Sequence, residues 1–131
     1  MVWSSINGVP ASASSFPSLV TFDAQYYSPM YDHAAAGTDE DINWNDSNEH
    51  RVLLDENVTF TFSNPVHGGR YVVVLVQDGT GGNTVTWPAS VIWAGGTAPV
   101  ITADANAVSL CTFMYDSNTS KYLGAYNLDL R

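Results

Sequence analysis

The sequence predicts an all-β protein: an antiparallel, jelly-roll-like β-sandwich that follows an extended N-terminal arm. Three observations lead to this prediction. Apolar residues alternate with threonine in Val58-Thr-Phe-Thr-Phe62, a period of two that is typical of a strand with one buried face. The segment 71–76 is apolar at every position, as in a central strand covered on both sides. From residue 55 onward, turn signals with glycine, proline or asparagine recur at short intervals.

Each predicted strand is bounded by such turn signals. The strands are Arg51–Leu54, Val58–Ser63, Arg70–Gln77, Thr84–Trp87, Val91–Trp93, Val108–Tyr115 and Tyr122–Leu128. Asn64-Pro65 ends the second strand, and the Asp78-Gly79 turn follows the third. The last two strands form a hairpin across residues 116–118. Trp87 and Trp93 stand at strand ends and are expected to close the sandwich, and no helix of two or more turns is expected.

Residues 1–48 differ in composition and periodicity from the sandwich domain at 49–131, and we interpret them as an extended arm. They are rich in Ser, Ala, Asp and Asn, with scattered aromatic residues and little sustained periodicity. Disordered segments are normally poor in aromatics, so we expect this arm to pack on its own domain or on a neighbouring subunit. The expected contact anchors are its aromatic residues Trp3, Phe16, Phe22, Tyr26, Tyr27, Tyr31 and Trp44. Contact of the tyrosines and Trp44 with sugars is the alternative.

The composition and net charge of the chain limit the classes of partner that it can bind. The chain has 131 residues, 45% of them hydrophobic, which suffices for one domain with a sizeable core. The chain has four lysines and arginines against thirteen aspartates and glutamates, which gives a formal net charge of -9. Such a chain is a poor ligand for nucleic acids and for anionic membranes, since both require basic side chains. We expect no signal peptide and no membrane span. The negative charge serves solubility or complements a basic partner surface.

The sequence contains no recognisable catalytic, phosphate-binding or metal-binding motif. Cys111 is the single cysteine, lies in an apolar run, and is expected to be a buried, inert thiol. Residues 79–82 have the composition of a phosphate loop but lack its lysine, so they are read as a turn. The acidic run 39–41 lacks the spacing of a Ca²⁺ loop and is interpreted as a solvated loop, with a Ca²⁺ site there or at the turn 116–118 as the alternative. The three histidines have no metal-binding interval. We expect no enzymatic activity, no catalytic residue, no cofactor and no metal.

A set of short motifs recurs in the order known from one family. The motifs are Val58-Thr-Phe-Thr-Phe-Ser-Asn-Pro65, Gly68-Gly-Arg-Tyr71, Val76-Gln-Asp-Gly-Thr-Gly-Gly82, Thr84-Val-Thr-Trp-Pro88 and Val91-Ile-Trp93. Together they resemble a small β-sandwich module of tailed-phage virion proteins, over about residues 50 to 130. The resemblance implies a structural building block without catalytic residues, made in the host cytoplasm and carried in the virion.

An acidic sandwich with an aromatic arm is similar, within that class, to capsid decoration or cement proteins. This similarity implies a homotrimer that binds the major capsid protein or neighbouring virion subunits and links capsomers. The alternative is a tail-fibre or receptor-binding module, whose exposed aromatic residues contact host glycans. A connector at the neck or baseplate and a host carbohydrate-binding domain are further alternatives.

Overall fold

A computed structural model describes residues 5–6, 9–10, 25 and 27–131. Within these residues the secondary structure is β-strand with one 3-10 turn at residues 94–96 and no α-helix. The strands are β1 Ser5–Ile6, β2 Val9–Pro10, β3 Tyr31–His33, β4 Asp39–Asn43, β5 Glu49–Leu54, β6 Val58–Ser63, β7 Arg70–Gln77, β8 Val85–Thr86, β9 Val91–Trp93, β10 Val108–Asp116 and β11 Lys121–Leu130. The predicted all-β class is confirmed.

Two sheets form the sandwich. A six-stranded sheet has the order β3-β5-β7-β10-β11-β9, and a three-stranded sheet has the order β4-β6-β8. Among the described residues, β1 pairs with β2, antiparallel. Both main sheets contribute one side to a common core, because buried and more exposed residues alternate along β5, β6 and β7.

The strand pairing is mixed, which corrects the predicted antiparallel arrangement. β3, β5 and β7 run parallel, as do β4, β6 and β8, and β9 is parallel to β11. Antiparallel pairing within the main sheets joins β7 to β10 and β10 to β11. The cause is the path of the chain, which alternates between the two sheets from β3 to β9. A strand that returns to its own sheet after such a circuit runs in the same direction as the strand it left.

Aromatic side chains fill the core. Trp44 stacks on Tyr71 with ring centroids 4.2 Å apart, and its Nε1 donates a 3.2 Å hydrogen bond to the hydroxyl of Tyr122. Phe62 packs edge-on against Trp44, Phe113 and Tyr122 at 5.1 Å each. Edge-to-face pairs of this kind add packing energy beyond the area that they bury. Trp93 is buried and Trp87 packs against the core, as the sequence predicts.

The sandwich begins earlier than the sequence suggested. β3 and β4 lie within residues 31–48, and each is an edge strand of one main sheet. The assignment of this stretch to an arm is therefore wrong. Both strands are short, and β4 has the acidic sequence Asp-Glu-Asp-Ile-Asn, so that local strand propensity is low. Hydrogen bonding of β3 to β5 and of β4 to β6 stabilises these two strands despite their low strand propensity.

Candidate functional site

The segment 27–31 runs onto the sandwich beside the start of β5. Ser47 anchors it, because the Ser47 hydroxyl donates to the carbonyl oxygen of Pro29. The same hydroxyl lies 3.1 Å from Ser28 Oγ and accepts a 3.0 Å bond from the backbone N–H of Glu49. Ser47 is only 7% exposed. One buried hydroxyl thus fixes the segment on which two predicted contact residues lie.

An open cleft lies between this segment and the six-stranded sheet. Its lining residues are Tyr27, Ser28, Asn48, Glu49, Arg70 and Val72. Tyr27 is 74% exposed, and Asn48 Nδ2 donates a 3.1 Å hydrogen bond to the carbonyl oxygen of Arg70. The cleft combines an aromatic face with a hydroxyl, an amide, a carboxylate and a guanidinium. These groups offer both hydrogen-bond donors and acceptors, together with an apolar ring, to a polar, neutral ligand.

Two histidines lie behind the cleft in a chain of hydrogen bonds. His50 Nε2 lies 3.0 Å from the carbonyl oxygen of Ser47, so this nitrogen carries a proton and donates. His50 Nδ1 then accepts from His33 Nε2 at 2.8 Å. His33 Nδ1 lies 2.9 Å from Glu40 Oε1, which completes the chain. This tautomer assignment follows from the hydrogen-bond partners.

Parallel pairing of β3 with β5 brings the histidines together. It places Tyr31 opposite His50 and His33 opposite Val52, so the rings of His33 and His50 stack at 5.1 Å. Burial is the largest influence on His50 and lowers its pKa below the ordinary value of 6.5. His50 is fully buried. The neutral form of His50 therefore holds edge strand β3, and the tyrosine on it, against the sandwich.

The acidic run forms strand β4 and is satisfied by protein partners. Asp41 accepts hydrogen bonds from Thr61 at 3.0 Å and Ser63 at 2.7 Å, and Glu40 faces His33. Across the described residues, no group of three or more His, Cys, Asp or Glu side chains is placed to hold a metal ion. β4 thus uses its carboxylates to attach itself to the neighbouring strands.

The Asx turns at Asp78 and Asp116 and the cysteine have structural roles. Asp78 accepts from the backbone N–H groups of Thr80 and Gly81, which gives residues 79–82 the predicted turn. Asp116 accepts from the Thr119 hydroxyl and the Asn118 N–H, and these bonds lower the pKa of its carboxyl. Cys111 is fully buried, and burial raises the pKa of its thiol to about 12. Its thiol is therefore neutral and shielded at physiological pH.

The predicted contact anchors divide into three groups. Tyr27 and Tyr31 are exposed, at 74% and 45%, and lie at the cleft and on β3. Trp44 is 5% exposed and belongs to the core, so its assignment as a contact anchor is wrong. The polar sequence around Trp44 gives no local sign that its ring is buried. The remaining anchors lie outside the described residues: Trp3, Phe16, Phe22 and Tyr26.

Of the residues that line the cleft, the sequence predicted only Tyr27 as a contact residue. Asn48, Glu49 and Arg70 come from two separate segments, and the parallel register that aligns Glu49 with Val72 brings them together. No local motif marks such a site. The His33–Glu40 and His50–Ser47 contacts were missed for the same reason, because the parallel β3–β5 pairing is not encoded by short-range spacing.

The sequence matches the model of a known protein family. A family model described as "Putative phage tail fibre C-terminal domain" matches residues 33–120. These residues comprise most of the sandwich and begin inside β3. The chain therefore belongs to this family of phage tail fibre domains, and it is a structural module of the phage virion.

Other comparisons add no further relative. Searches of curated proteins and of solved structures found no match to this chain. In the part of the chain that the structure describes, no helix has the length and apolarity needed to cross a membrane.

Proposed function

We propose that this domain is a receptor-binding module of a phage tail fibre, which contacts saccharides on the host surface. The family assignment over residues 33–120 is the observation that carries the proposal. It supports the tail-fibre alternative better than capsid decoration, which it does not confirm. Self-association of the module, for which the resemblance implies a trimer, is part of the proposal.

The cleft beside β5 is the proposed contact site. Tyr27 presents a largely exposed ring, and Asn48, Glu49 and Arg70 place donors and acceptors near it. Saccharides have both apolar C–H faces and hydroxyl groups, so a site of this composition suits them. The Ser47 bonds to Ser28 and Pro29 hold the backbone beside Tyr27, which reduces the entropy lost when a ligand binds.

Competition for host cells tests the receptor contact. Purified full-length chain is added to host cells of the source phage, and the fraction of phage that then adsorbs is measured. We expect the chain to block adsorption, and Tyr27→Ala and Arg70→Gln to need at least about tenfold more protein for the same effect. Tyr126→Ala is the matched control, because Tyr126 is 44% exposed and lies on β11, away from the cleft.

The outcomes separate the alternatives. Wild-type chain that neither binds host cells nor blocks adsorption would refute receptor binding. Equal loss in Tyr27→Ala and Tyr126→Ala would place the contact elsewhere on the molecule. Quantitative mass spectrometry of purified particles gives the copy number: a few to a few dozen copies fit the tail, whereas hundreds would return the protein to the shell.

A further inference from the structure

The six-stranded sheet has an apolar outward side. Along β7, Tyr71, Val73 and Leu75 are buried in the core, so the residues between them point outward. The register with β10 places Val74 opposite Leu110 and Val76 opposite Val108. These four side chains are only partly buried. They form the centre of a surface that we call the outer apolar face, the outward side of β7, β10, β11 and β9.

The outer apolar face continues to the far edge of the sheet. Met114 is paired with Leu123, and Leu123 with Ile92 on β9. Leu123 is 40% exposed, Ile92 is 47% exposed, and Leu130, opposite Val108, is 45% exposed. A mainly aliphatic surface thus crosses four strands, interrupted by Thr112 and Asn127 and without a charged residue at its centre.

The size of this surface fits the centre of a protein interface. Three strands spaced ~4.8 Å apart with four outward rows spaced ~6.8 Å apart, together with the one outward residue of β9, cover roughly 400 Å². That lies within the range of the largest apolar patch on a typical monomer, about 300–600 Å². With its surrounding rim it approaches the roughly 800 Å² that each partner buries in a standard interface.

The charged residues near the outer apolar face indicate which kind of molecule binds there. All four lysines and arginines of the chain lie on or directly after strands of the six-stranded sheet: Arg51 on β5, Arg70 on β7, Lys121 on β11, and Arg131 directly after β11. Arg51 pairs with Asp32 at 3.2 Å, and Arg131 pairs with Asp104 and Asp129. The rim is therefore nearly balanced in charge, although the chain carries a net charge of -9.

This balance favours a copy of the same chain over a basic partner. A basic partner would be drawn to the acidic side of the molecule, where Asp39 and Asp41 point outward from β4. Two copies with the same large negative charge repel each other wherever their acidic sides meet. They approach with least repulsion where anions and cations are balanced and where aliphatic surface is available for burial.

We propose that the outer apolar face binds another copy of this chain. The inference names the surface for the self-association proposed above. This surface adjoins the receptor cleft, because Val72 lies on both and Arg70 stands at their shared border. Burial of the aliphatic rows provides the driving force, and the paired charges at the rim set the orientation.

Sedimentation of the full-length chain between about 1 and 200 µM tests this interface. We expect the wild type to associate and Val74→Lys to sediment as a monomer, with a dissociation constant raised at least a hundredfold. Thr59→Lys is the matched control, because Thr59 points outward from β6 on the other sheet. It adds the same charge and should leave association unchanged.

A second variant protects the test against misfolding. Leu123→Lys changes a more exposed position, and circular dichroism shows whether each variant keeps its strands. Folded Val74→Lys and Leu123→Lys chains that still associate would overturn the proposal, as would a wild type that is monomeric at 200 µM. If that monomer binds a hydrophobic dye only after Trp3 and Phe16 are changed to Ser, its own N-terminal segment covers the face.

Host-cell competition and sedimentation have separate readouts. A folded, monomeric Val74→Lys chain leaves the cleft uncovered, so its failure to block phage adsorption would refute the receptor contact alone. A wild-type chain that is monomeric and blocks adsorption would refute the shared interface alone.

Discussion

On the three-stranded sheet the side chains that point away from the core are polar, whereas on the six-stranded sheet most of them are aliphatic. Thr59 and Thr61 project outward from β6, beside Asp39 and Asp41 of β4. The corresponding outward residues of β7 are valines. Both sheets share one core, so core formation alone accounts for the polar side of the first sheet but not for the aliphatic side of the second.

The difference distinguishes residues needed for folding from residues available for contact. Alternation of threonine and phenylalanine in β6 is the pattern of a strand with water on one face. Continuous apolar sequence in β7 is the pattern of a strand covered on both faces, and in the described part of one chain only its inner face is covered. The apolar excess of β7 therefore points to a partner.

The largest effect should come from the inner side of the polar-faced sheet. Phe60 is 1% exposed and packs on Trp87 at 5.5 Å. Phe60→Ala should lower the free energy of unfolding by about 3–5 kcal/mol, since it removes buried contacts and leaves a cavity. Thr59→Ala, one residue away and facing outward, should change it by less than about 0.5 kcal/mol. Urea unfolding measures both, and similar losses would contradict the assignment of inner and outer faces.

A crossover between the two sheets should give the next largest effect. Gly81 lies between β7 and β8 with φ +72°, and a Cβ there would come within 2.3 Å of the carbonyl oxygen of Ala103. Gly81→Ala should therefore cost roughly 2 kcal/mol or more in unfolding free energy, through backbone strain and this clash.

Gly79 provides the control for that crossover. An added Cβ at Gly79 meets nothing within 4 Å, and Gly79→Ala should be close to neutral. Equal midpoints in urea for the two variants would show that the Gly81 crossover does not constrain how the sheets are joined.

Local pattern predicted the strands well where it was strong. β6, β7 and β9 have the predicted bounds, because alternation, a continuous apolar run or flanking prolines and glycines fix them within a few residues. β3 and β4 were missed because they are short, and β4 is rich in carboxylates. Their stability comes from neighbours far along the chain.

Pairing direction and the candidate site could not be read from local pattern. A short turn between strands suggests an antiparallel hairpin, but here most turns from β3 to β9 pass to the opposite sheet. The cleft and the histidine pair depend on that winding. Tyr27 and Tyr31 were predicted as contact residues from composition, whereas Arg70 and His50 acquire their surroundings only after β3, β5 and β7 align.

Protein concentration should alter stability by a smaller amount, and only through the aliphatic face. If folded copies associate, mass action raises the thermal midpoint of the wild type by roughly 3–6 °C for a hundredfold rise in concentration. Val74→Lys should abolish this shift, and Thr59→Lys should keep it. Scanning calorimetry or circular dichroism measures the midpoints. A wild-type midpoint independent of concentration would contradict association of the folded chains.

The smallest effect should arise where the cleft segment meets the sheet. The pKa of His50 is lowered by burial, so the unfolded chain binds a proton more readily than the folded chain does. His50 therefore contributes no proton-linked loss of stability above the unfolded pKa of about 6.5, and the free energy of unfolding falls as the pH drops below that value. The loss levels off below the folded pKa.

Substitution of single histidines isolates this contribution to the pH dependence. His33, Glu40 and Asp46 are the titratable groups that face or influence His50. His50→Gln should lower stability at neutral pH and flatten its decline below pH 6.5, whereas His67→Gln, at an exposed loop position, should leave the decline unchanged. Urea unfolding across this pH range provides the measurement. An equally steep decline in His50→Gln would assign the pH dependence to other groups and leave edge strand β3 independent of the histidine pair.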